Sequence, residues 1–103
     1  MKENPTYYAI IPANVRYDEK ITLGAKMMYG EITALSSKEG FCWASNNYFA
    51  KLYKVHKNTI QNWIKSLKDS GYIRLDTKQS QSGSERKIFL IPQSQKFVIG
   101  LSQ

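Results

Sequence analysis

Three amide side chains and two lysines stand close together in this sequence, and their chemistry suits contact with a nucleic acid. Asn58, Gln61 and Asn62 carry the amides, and Lys57 and Lys65 stand on either side of them. An amide side chain can both donate and accept at a base edge, and an ammonium group binds phosphate oxygens. We therefore expect these residues to form one polar surface.

A helix would place these side chains on one face. The residues Ile60, Trp63, Ile64 and Leu67 recur at i, i+3, i+4 and i+7, the pattern of a helix that buries one stripe in a core. The polar residues then face outward, and Trp63 is expected to pack in the interior. Gly71 is expected to end the helix, because glycine adopts the positive φ of many helix ends without steric cost.

A shorter helix is expected just before it. Ser45 is a favourable N-cap, and it is followed by an apolar set that comprises Phe49, Ala50, Leu52 and Val55. Two short helices joined by about three to five residues form a helix-turn-helix. Residues 45–71 are expected to have this arrangement.

The formal net charge of +7 is concentrated in the same stretch. Residues 1–39 contain five basic and five acidic residues, residues 69–103 contain five and three, and residues 40–68 contain five lysines and no acid. A phosphate-binding surface requires such a block, because each neutralised phosphate releases condensed counterions. A solvated lysine-rich face is the alternative explanation of the charge alone.

The chain before this block is expected to supply a strand and another helix. Residues 6–12 are rich in strand-forming side chains and end at a proline, which predicts a short edge strand, and residues 14–20 are interpreted as a polar connection. Thr22 is expected to cap a helix that ends near Leu35. Its glycines at positions 24 and 30 would permit close packing, and its apolar stripe comprises Ala25, Met28, Tyr29, Ile32 and Leu35. Residues 41–43 are expected to form a very short strand with Cys42 buried.

Two strands are expected after Gly71, at residues 72–75 and 87–91. The eleven residues between them, 76–86, are polar and are expected to form a mobile loop. A hairpin directly after such a helix is a wing, and an ordinary flexible hairpin is the alternative. The predicted fold class is α+β, a winged helix-turn-helix with three helices and a C-terminal β-hairpin wing. Residues 1–92 would form this domain, and residues 93–103 would be a tail or linker.

Other classes of function find little support in the sequence. One cysteine and one histidine cannot form a disulfide or a structural metal site, and no nucleophile, base and orienting group have catalytic spacing. We expect no enzymatic activity, no cofactor and no metal. No apolar run approaches the roughly 20 residues that span a bilayer, and the start of the chain is unlike a signal peptide. We therefore expect a cytoplasmic protein that does not enter a membrane.

The chain resembles the amino-terminal winged-helix domain of replication initiators and replisome organisers, the DnaD-like and RepA-type proteins, from plasmids and phages of low-GC Gram-positive bacteria. The resemblance covers residues 7–75 and rests on the segments 42–46 and 67–73 and on Leu23, Ala25, Lys26, Tyr29, Thr59, Ile60, Trp63 and Ile64. It implies a domain that binds repeats in a replication origin, usually as a dimer, and a further domain that engages host replication proteins. This chain has no room for that further domain, so we expect either a fragment or a short member of the group.

One departure from the pattern of that group concerns the turn between the two helices. The resemblance implies a glycine in the left-handed conformation and a serine cap, but Lys54 and His56 occupy these positions. A lysine at positive φ costs roughly 1–2 kcal/mol, so we expect either that cost or a longer turn. His56 is expected to be a weaker cap than serine, and contact with a phosphate or base is its alternative role.

The function predicted from the sequence is sequence-specific binding of double-stranded DNA, with origin recognition in plasmid or phage replication as its biological role. The alternatives are a transcription regulator with the same fold and a winged helix that mediates protein interaction or oligomerisation through the edge strand. Double-stranded DNA is the expected partner, and a homodimer and host replication proteins are further candidates. The candidate DNA-binding residues are Ser45, Asn46, Asn47, Lys51, His56, Lys57, Asn58, Thr59, Gln61, Asn62, Lys65, Lys78, Arg86 and Lys87.

Overall fold

Four helices and a two-stranded hairpin make up the part of the chain that the computed structural model describes, residues 8–81 and 83–92. They follow one another as α1 (Ala13–Arg16), α2 (Leu23–Leu35), α3 (Asn46–Tyr53), α4 (Lys57–Asp69), β1 (Ile73–Ser80) and β2 (Gly83–Leu90). This order confirms the predicted α+β winged helix, although α1 precedes the three helices that the sequence predicts. None of these helices has the length and apolar character needed to cross a bilayer.

Helix α2 follows the predicted pattern from its cap to its end. The Thr22 hydroxyl accepts a hydrogen bond from the Ala25 amide at 3.2 Å, and the apolar stripe packs in the core. Gly24 allows α4 to approach closely, since a Cβ atom there would lie 2.1 Å from Cζ2 of Trp63. Gly30 has the same role toward the segment that precedes α1. Both glycines therefore permit close packing, as predicted.

The turn between α3 and α4 has the strained geometry expected of a lysine at its left-handed position. Lys54 has φ 58° and ψ 48°, the left-handed conformation that glycine adopts more easily. His56 caps α4, because its Nδ1 atom accepts a hydrogen bond from the Asn58 amide at 3.1 Å. Ser45 caps α3 in the same way, through the Tyr48 amide at 3.1 Å. The turn is therefore short and strained rather than longer and relaxed.

All six elements contribute to one core. Its largest fully buried side chains are Val15, Met28, Ile32, Cys42, Phe49, Ile60, Leu67, Ile73 and Ile88. Full burial of side chains of this size stabilises the fold by about 1.5–3 kcal/mol each. Cys42 is buried, as predicted, and this burial raises the pKa of its thiol. The core therefore holds the helix-turn-helix and the hairpin in one unit.

The hairpin is longer and more regular than predicted. Ile73 pairs with Leu90, and the register continues without interruption to Ser80 opposite Gly83. The prediction of a loop over residues 76–86 is therefore wrong, because most of that stretch consists of paired strands. Apolar alternation reveals a strand only where one face is buried, whereas these outer residues are paired through their backbones.

The short strand predicted at residues 41–43 is limited to a single bridge. Cys42 pairs with Ile88 through two backbone hydrogen bonds, each 2.9 Å long. This bridge attaches the segment before α3 to the outer side of β2. It therefore links the start of the helix-turn-helix to the base of the wing.

The segment before α2 differs from the prediction. Residues 8–12 form no strand, and the remaining residues of the expected edge strand lie outside the described part of the chain. Pro12 instead begins a helical turn, in which its carbonyl accepts hydrogen bonds from the amides of Val15 and Arg16. The stretch 14–20 is therefore partly helix α1, since proline suits a helix start and Val15 becomes fully buried. Residues 8–11 do not offer the strand edge expected for protein interaction.

Tyr72 joins the chain after α1 to the start of the hairpin. Its hydroxyl donates a hydrogen bond to the Asp18 carboxylate at 2.5 Å, and the same oxygen lies 3.3 Å from the Asn14 carbonyl. The hydrogen bond from Tyr72 lowers the pKa of Asp18. The pKa of Tyr72 is raised, mainly by burial of its hydroxyl and secondly by its hydrogen bond to the Asp18 carboxylate. This contact spans more than fifty positions of the sequence. It therefore fixes the amino-terminal segment against the core.

The substitution Lys54→Gly is expected to raise the free energy of unfolding by up to about 1.5 kcal/mol. It removes the strain of roughly 1–2 kcal/mol that a lysine has at positive φ. The greater entropy that glycine loses on folding offsets about 0.5–1 kcal/mol of this gain. Equilibrium unfolding in urea measures the difference.

Lys51→Gly is the matched control, because it removes the same side chain from a helical residue of α3. This control is expected to lower the free energy of unfolding by about 1 kcal/mol. Equal destabilisation by the two substitutions would show that Lys54 is not strained.

Candidate nucleic-acid interface

A polar groove lies between the start of α3 and the first turns of α4. Its volume is about 360 Å³, and the residues that line it are all among those predicted from the sequence: Ser45, Asn46, Asn47, Lys57, Asn58 and Gln61. The short turn between the helices brings these two parts of the chain together. The groove therefore combines the amino-terminal ends of both helices of the helix-turn-helix.

The polar face of α4 extends beyond this groove. Lys57, Asn58, Gln61, Asn62 and Lys65 are all exposed. At about 3.6 residues per turn, they fall within an arc of about 140°. The buried residues of α4 lie outside this arc. The structure thus presents the predicted amides and lysines on one continuous surface.

The start of α3 offers backbone donors next to this surface. The Ser45 hydroxyl accepts from the Tyr48 amide, while the amides of Asn46 and Asn47 lie too close to the start of the helix to have an intrahelical acceptor. The partial positive charge of a helix amino terminus adds to the attraction for an anion. A phosphate group is the kind of ligand that such a helix start can bind.

The remaining predicted residues of the two helices have different surroundings. His56 is exposed and caps α4 through Nδ1, so its Nε2 atom is the donor of the neutral ring. Thr59 is half-buried, and Lys51 is exposed on α3 outside the lining of the groove. The structure therefore assigns His56 a capping role, which leaves its outer nitrogen exposed.

Lys65 forms an ion pair with Asp69, with 2.8 Å between Nζ and Oδ2. The carboxylate raises the pKa of Lys65, and the lysine in turn lowers the pKa of Asp69. Both side chains are largely exposed. Because water and salt screen an exposed pair, the lysine can exchange this partner for a phosphate.

The comparisons with known proteins agree with this geometry. A family model described as a helix-turn-helix domain matches residues 19–73, which is more than half of the chain. The chain belongs to the helix-turn-helix domain family. The matched range ends at the first residue of β1 and includes the whole polar surface of α3 and α4. No curated protein and no solved structure matched the chain.

Membership in the helix-turn-helix domain family supports DNA as the partner of this surface. Domains of this kind place their second helix in the major groove and bind the backbone through the first. Helix α4 is the second helix of the motif, and its exposed arc carries the amides that suit base edges. The family description itself names no biological process.

Arg86 supports the helix-turn-helix domain from the base of the wing. Its guanidinium donates one hydrogen bond to Oδ1 of Asn46 at 2.8 Å and another to the Ala44 carbonyl at 2.7 Å. The side chain is half-buried, and burial lowers its pKa, although an arginine stays protonated at neutral pH. Arg86 is thus committed to the start of α3 rather than exposed on the wing.

Lys78 and Lys87 lie on the outer face of the hairpin, where each is opposed by an acid. Lys78 pairs in register with Glu85, and Lys87 pairs with Asp76. The Nζ atom of Lys87 also lies 4.8 Å from the centre of the Phe41 ring. The wing is therefore less positive than its lysines alone suggest.

A row of aromatic rings continues along the same face of the wing, and none of its members is among the predicted site residues. Phe41 contacts both Trp43 and Phe89, with ring centres 5.0 and 5.6 Å apart, and the Arg74 guanidinium lies 4.3 Å from the centre of Phe89. Trp43 is 50% exposed. Successive side chains of an extended segment point to opposite faces, so the two neighbours of the buried Cys42 must point outward. This alternation could have predicted from the sequence that Phe41 and Trp43 lie on the outer face.

Arg86→Gln is expected to lower the free energy of unfolding by about 1–3 kcal/mol, because it removes charged hydrogen bonds and leaves half-buried acceptors unpaired. Lys78→Gln is the matched control on the same hairpin, since it removes the same charge from an exposed side chain. That control is expected to change stability by no more than about 0.5 kcal/mol. Urea unfolding of both variants provides the comparison, and equal stabilities would contradict the supporting role of Arg86.

Proposed function

We propose that the chain is a sequence-specific reader of double-stranded DNA, with α4 in the major groove. The observation that carries the proposal is the alignment of the exposed amides of α4 with the polar groove at the start of α3. A polar face that served only to keep the protein in solution would not need the amino-terminal ends of α3 and α4 to line one groove. The absence of acidic residues between positions 40 and 68 supports the same conclusion.

The amides of α4 read the bases in this arrangement. Asn58, Gln61 and Asn62 can each pair with the donor and acceptor of adenine in the major groove. A well-formed pair of this kind discriminates against another base by about 1–3 kcal/mol. These residues lie near the amino-terminal end of α4, the part of a recognition helix that contacts base edges.

The lysines and the start of α3 bind the backbone and set the register. Lys57 and Lys65 stand at the edges of the amide surface, and Lys51 is exposed on α3. Ser45, Asn46 and Asn47, at the start of α3, line the groove beside them. Contacts of this kind provide affinity and orientation without reading sequence. His56 and Thr59 stay candidates for contacts close to the first turn of α4.

The wing lies beside a neighbouring groove or phosphate in this proposal. Lys78 and Lys87 are its candidates for direct contact. Arg86 acts by positioning, since its hydrogen bonds hold the wing against Asn46. The wing would therefore follow any movement of α3 on the duplex.

Origin recognition in plasmid or phage replication is the biological role that the resemblance to replication initiators supports. A dimer that binds repeated sites and contacts with host replication proteins would accompany that role. A transcription regulator with the same fold would use the same surface. Origin recognition requires the selected site to recur as several copies within one replication origin, which distinguishes it from a regulator that binds beside promoters.

Fluorescence anisotropy with random duplex DNA at two salt concentrations tests the proposal first. We expect steep loss of affinity with rising salt, because phosphate contacts release counterions. A preferred site is then selected from randomised duplexes. Asn62→Ala is expected to relax preference at one base position, whereas Lys57→Ala weakens binding to every sequence and reduces the salt slope by about 1.

Lys20→Ala is the matched control, because it removes an exposed lysine that lies before α2. It is expected to leave both the selected site and the salt slope unchanged. Equal effects of Asn62→Ala and Lys57→Ala on all duplexes would contradict the roles assigned to them. A chain that fails to bind any duplex at low salt would overturn the proposed function.

A further inference from the structure

Another groove lies beside the start of α3, where the segment before that helix meets the end of α2. Its volume is about 400 Å³, and most of its wall consists of apolar and aromatic side chains, namely Leu35, Phe41, Trp43, Ala44 and Tyr48. Two of these rings, Phe41 and Trp43, belong to the row on the outer face of the wing. This aromatic groove shares no lining residue with the polar groove of α3 and α4.

The Trp43 ring is held in one orientation in the wall of the aromatic groove. Its Nε1 atom donates a hydrogen bond to Oε1 of Glu39 at 2.8 Å. The Phe41 ring contacts it edge-on, with centroids 5.0 Å apart and an angle of 66° between the planes. Half of the surface of Trp43 nevertheless stays open to solvent. A flat ligand could therefore stack on a ring that is already ordered, which lowers the entropic cost of binding.

Positive charge lies directly beside the rings. The Nζ atom of Lys87 is 4.8 Å from the centre of Phe41 and 5.4 Å from the centre of Trp43. The Arg74 guanidinium lies 4.3 Å from the centre of Phe89 in the same row. Surfaces that bind single-stranded nucleic acids combine these two elements, since bases stack on aromatic rings and cations bind the phosphates that join them.

The charges around the aromatic groove favour an anionic ligand. Three basic residues line it or lie along the row of rings, against two acids: Lys38, Arg74 and Lys87 against Glu39 and Asp76. The Glu39 carboxylate already accepts from the indole, and Asp76 lies opposite Lys87 in the hairpin register. An uncharged apolar partner would use the rings and not the cations, whereas a nucleotide strand would use both.

We propose that the aromatic groove binds an unpaired base of single-stranded DNA, with the base stacked on Trp43 and the adjoining phosphates bound by Lys38 and Lys87. The bases of a duplex are covered on both faces by their neighbours, so this site selects a strand that is not paired. Ala44 lines the aromatic groove and Ser45 lines the polar groove, so the two sites adjoin along the chain. The inference goes beyond the proposed function, because it assigns a second ligand to a different groove.

Fluorescence anisotropy with a labelled oligothymidylate of about ten nucleotides tests the proposal. Trp43→Ala is expected to weaken binding by about 5- to 100-fold, because it removes the ring on which the base stacks. Trp43→Phe retains a ring and is expected to restore most of that affinity. An abasic oligomer of the same length and charge is expected to bind the unsubstituted chain at least about fivefold more weakly than the oligothymidylate does.

Tyr17→Ala is the matched control, since Tyr17 is also an exposed ring, at 70%, and has the Arg16 guanidinium 4.8 Å from its centre. Tyr17 does not line the aromatic groove, so its loss should leave the affinity for oligothymidylate unchanged. Equal affinities for the oligothymidylate and the abasic oligomer would overturn the proposal, because the contact would then be electrostatic only. Equal losses in Trp43→Ala and Tyr17→Ala would also overturn it.

Duplex binding measured alongside separates this proposal from the proposed function. A chain that binds duplex DNA but no oligothymidylate would overturn the base site in the aromatic groove and leave the proposed function standing. Stacking on Trp43 without any duplex binding would do the reverse. Self-association in sedimentation that Trp43→Ala abolishes, with no binding of oligothymidylate, would overturn the proposal by assigning the rings to a second copy of the chain.

Discussion

The close contact between Gly24 and Trp63 determines how the second helix of the motif faces outward. With a Cβ position only 2.1 Å from the indole, α2 can accept no side chain at Gly24 without displacing the ring. Trp63 also contacts the edge of the Tyr53 ring, with centroids 6.3 Å apart, and the Tyr53 hydroxyl donates to Glu31 at 2.8 Å. Three helices thus meet around one indole. Because the amides of α4 lie away from Trp63 on the helix, this contact fixes the direction in which they point.

The wing depends on a second set of contacts, which joins it to the start of α3. The backbone bridge between Cys42 and Ile88 holds the base of β2, and Arg86 is hydrogen bonded to the residues on both sides of Ser45. The hairpin beyond this point is polar and is paired through its backbone. The wing and the start of α3 are therefore held together as one rigid unit, while the polar face of α4 is held by the core.

The helices of the motif could be predicted because their signals are local. Thr22 and Ser45 cap the helices that follow them, and Gly71 has the positive φ, 80°, expected after α4. The positive φ of Lys54, in contrast, was expected from the resemblance to replication initiators, which implies a glycine at this position of the turn. The fold class, the core stripes and the polar face of α4 all depend on such short-range patterns.

Long-range contacts and short elements could not be predicted in this way. Helix α1 has four residues, of which only Val15 is buried, so it has no periodicity to detect. The outer parts of β1 and β2 are polar on both faces, and their pairing leaves no apolar pattern. Arg86 was expected to reach DNA because it is basic and lies in the wing. Its contact with Asn46 joins residues forty positions apart, which no local pattern encodes.

That contact also determines the chemical character of Asn46. Because Oδ1 of Asn46 accepts from Arg86, the orientation of the side-chain amide is fixed and its nitrogen is turned away from the arginine. An asparagine held in this way offers hydrogens and no longer presents its oxygen freely to the outside. The side chain of Asn46, the first residue of α3, could otherwise donate or accept hydrogen bonds, but here it is left mainly as a donor. A donor of this kind suits acceptor atoms such as phosphate oxygens, so the polarity of any contact that Asn46 would make in the proposed complex is set by a residue of the wing.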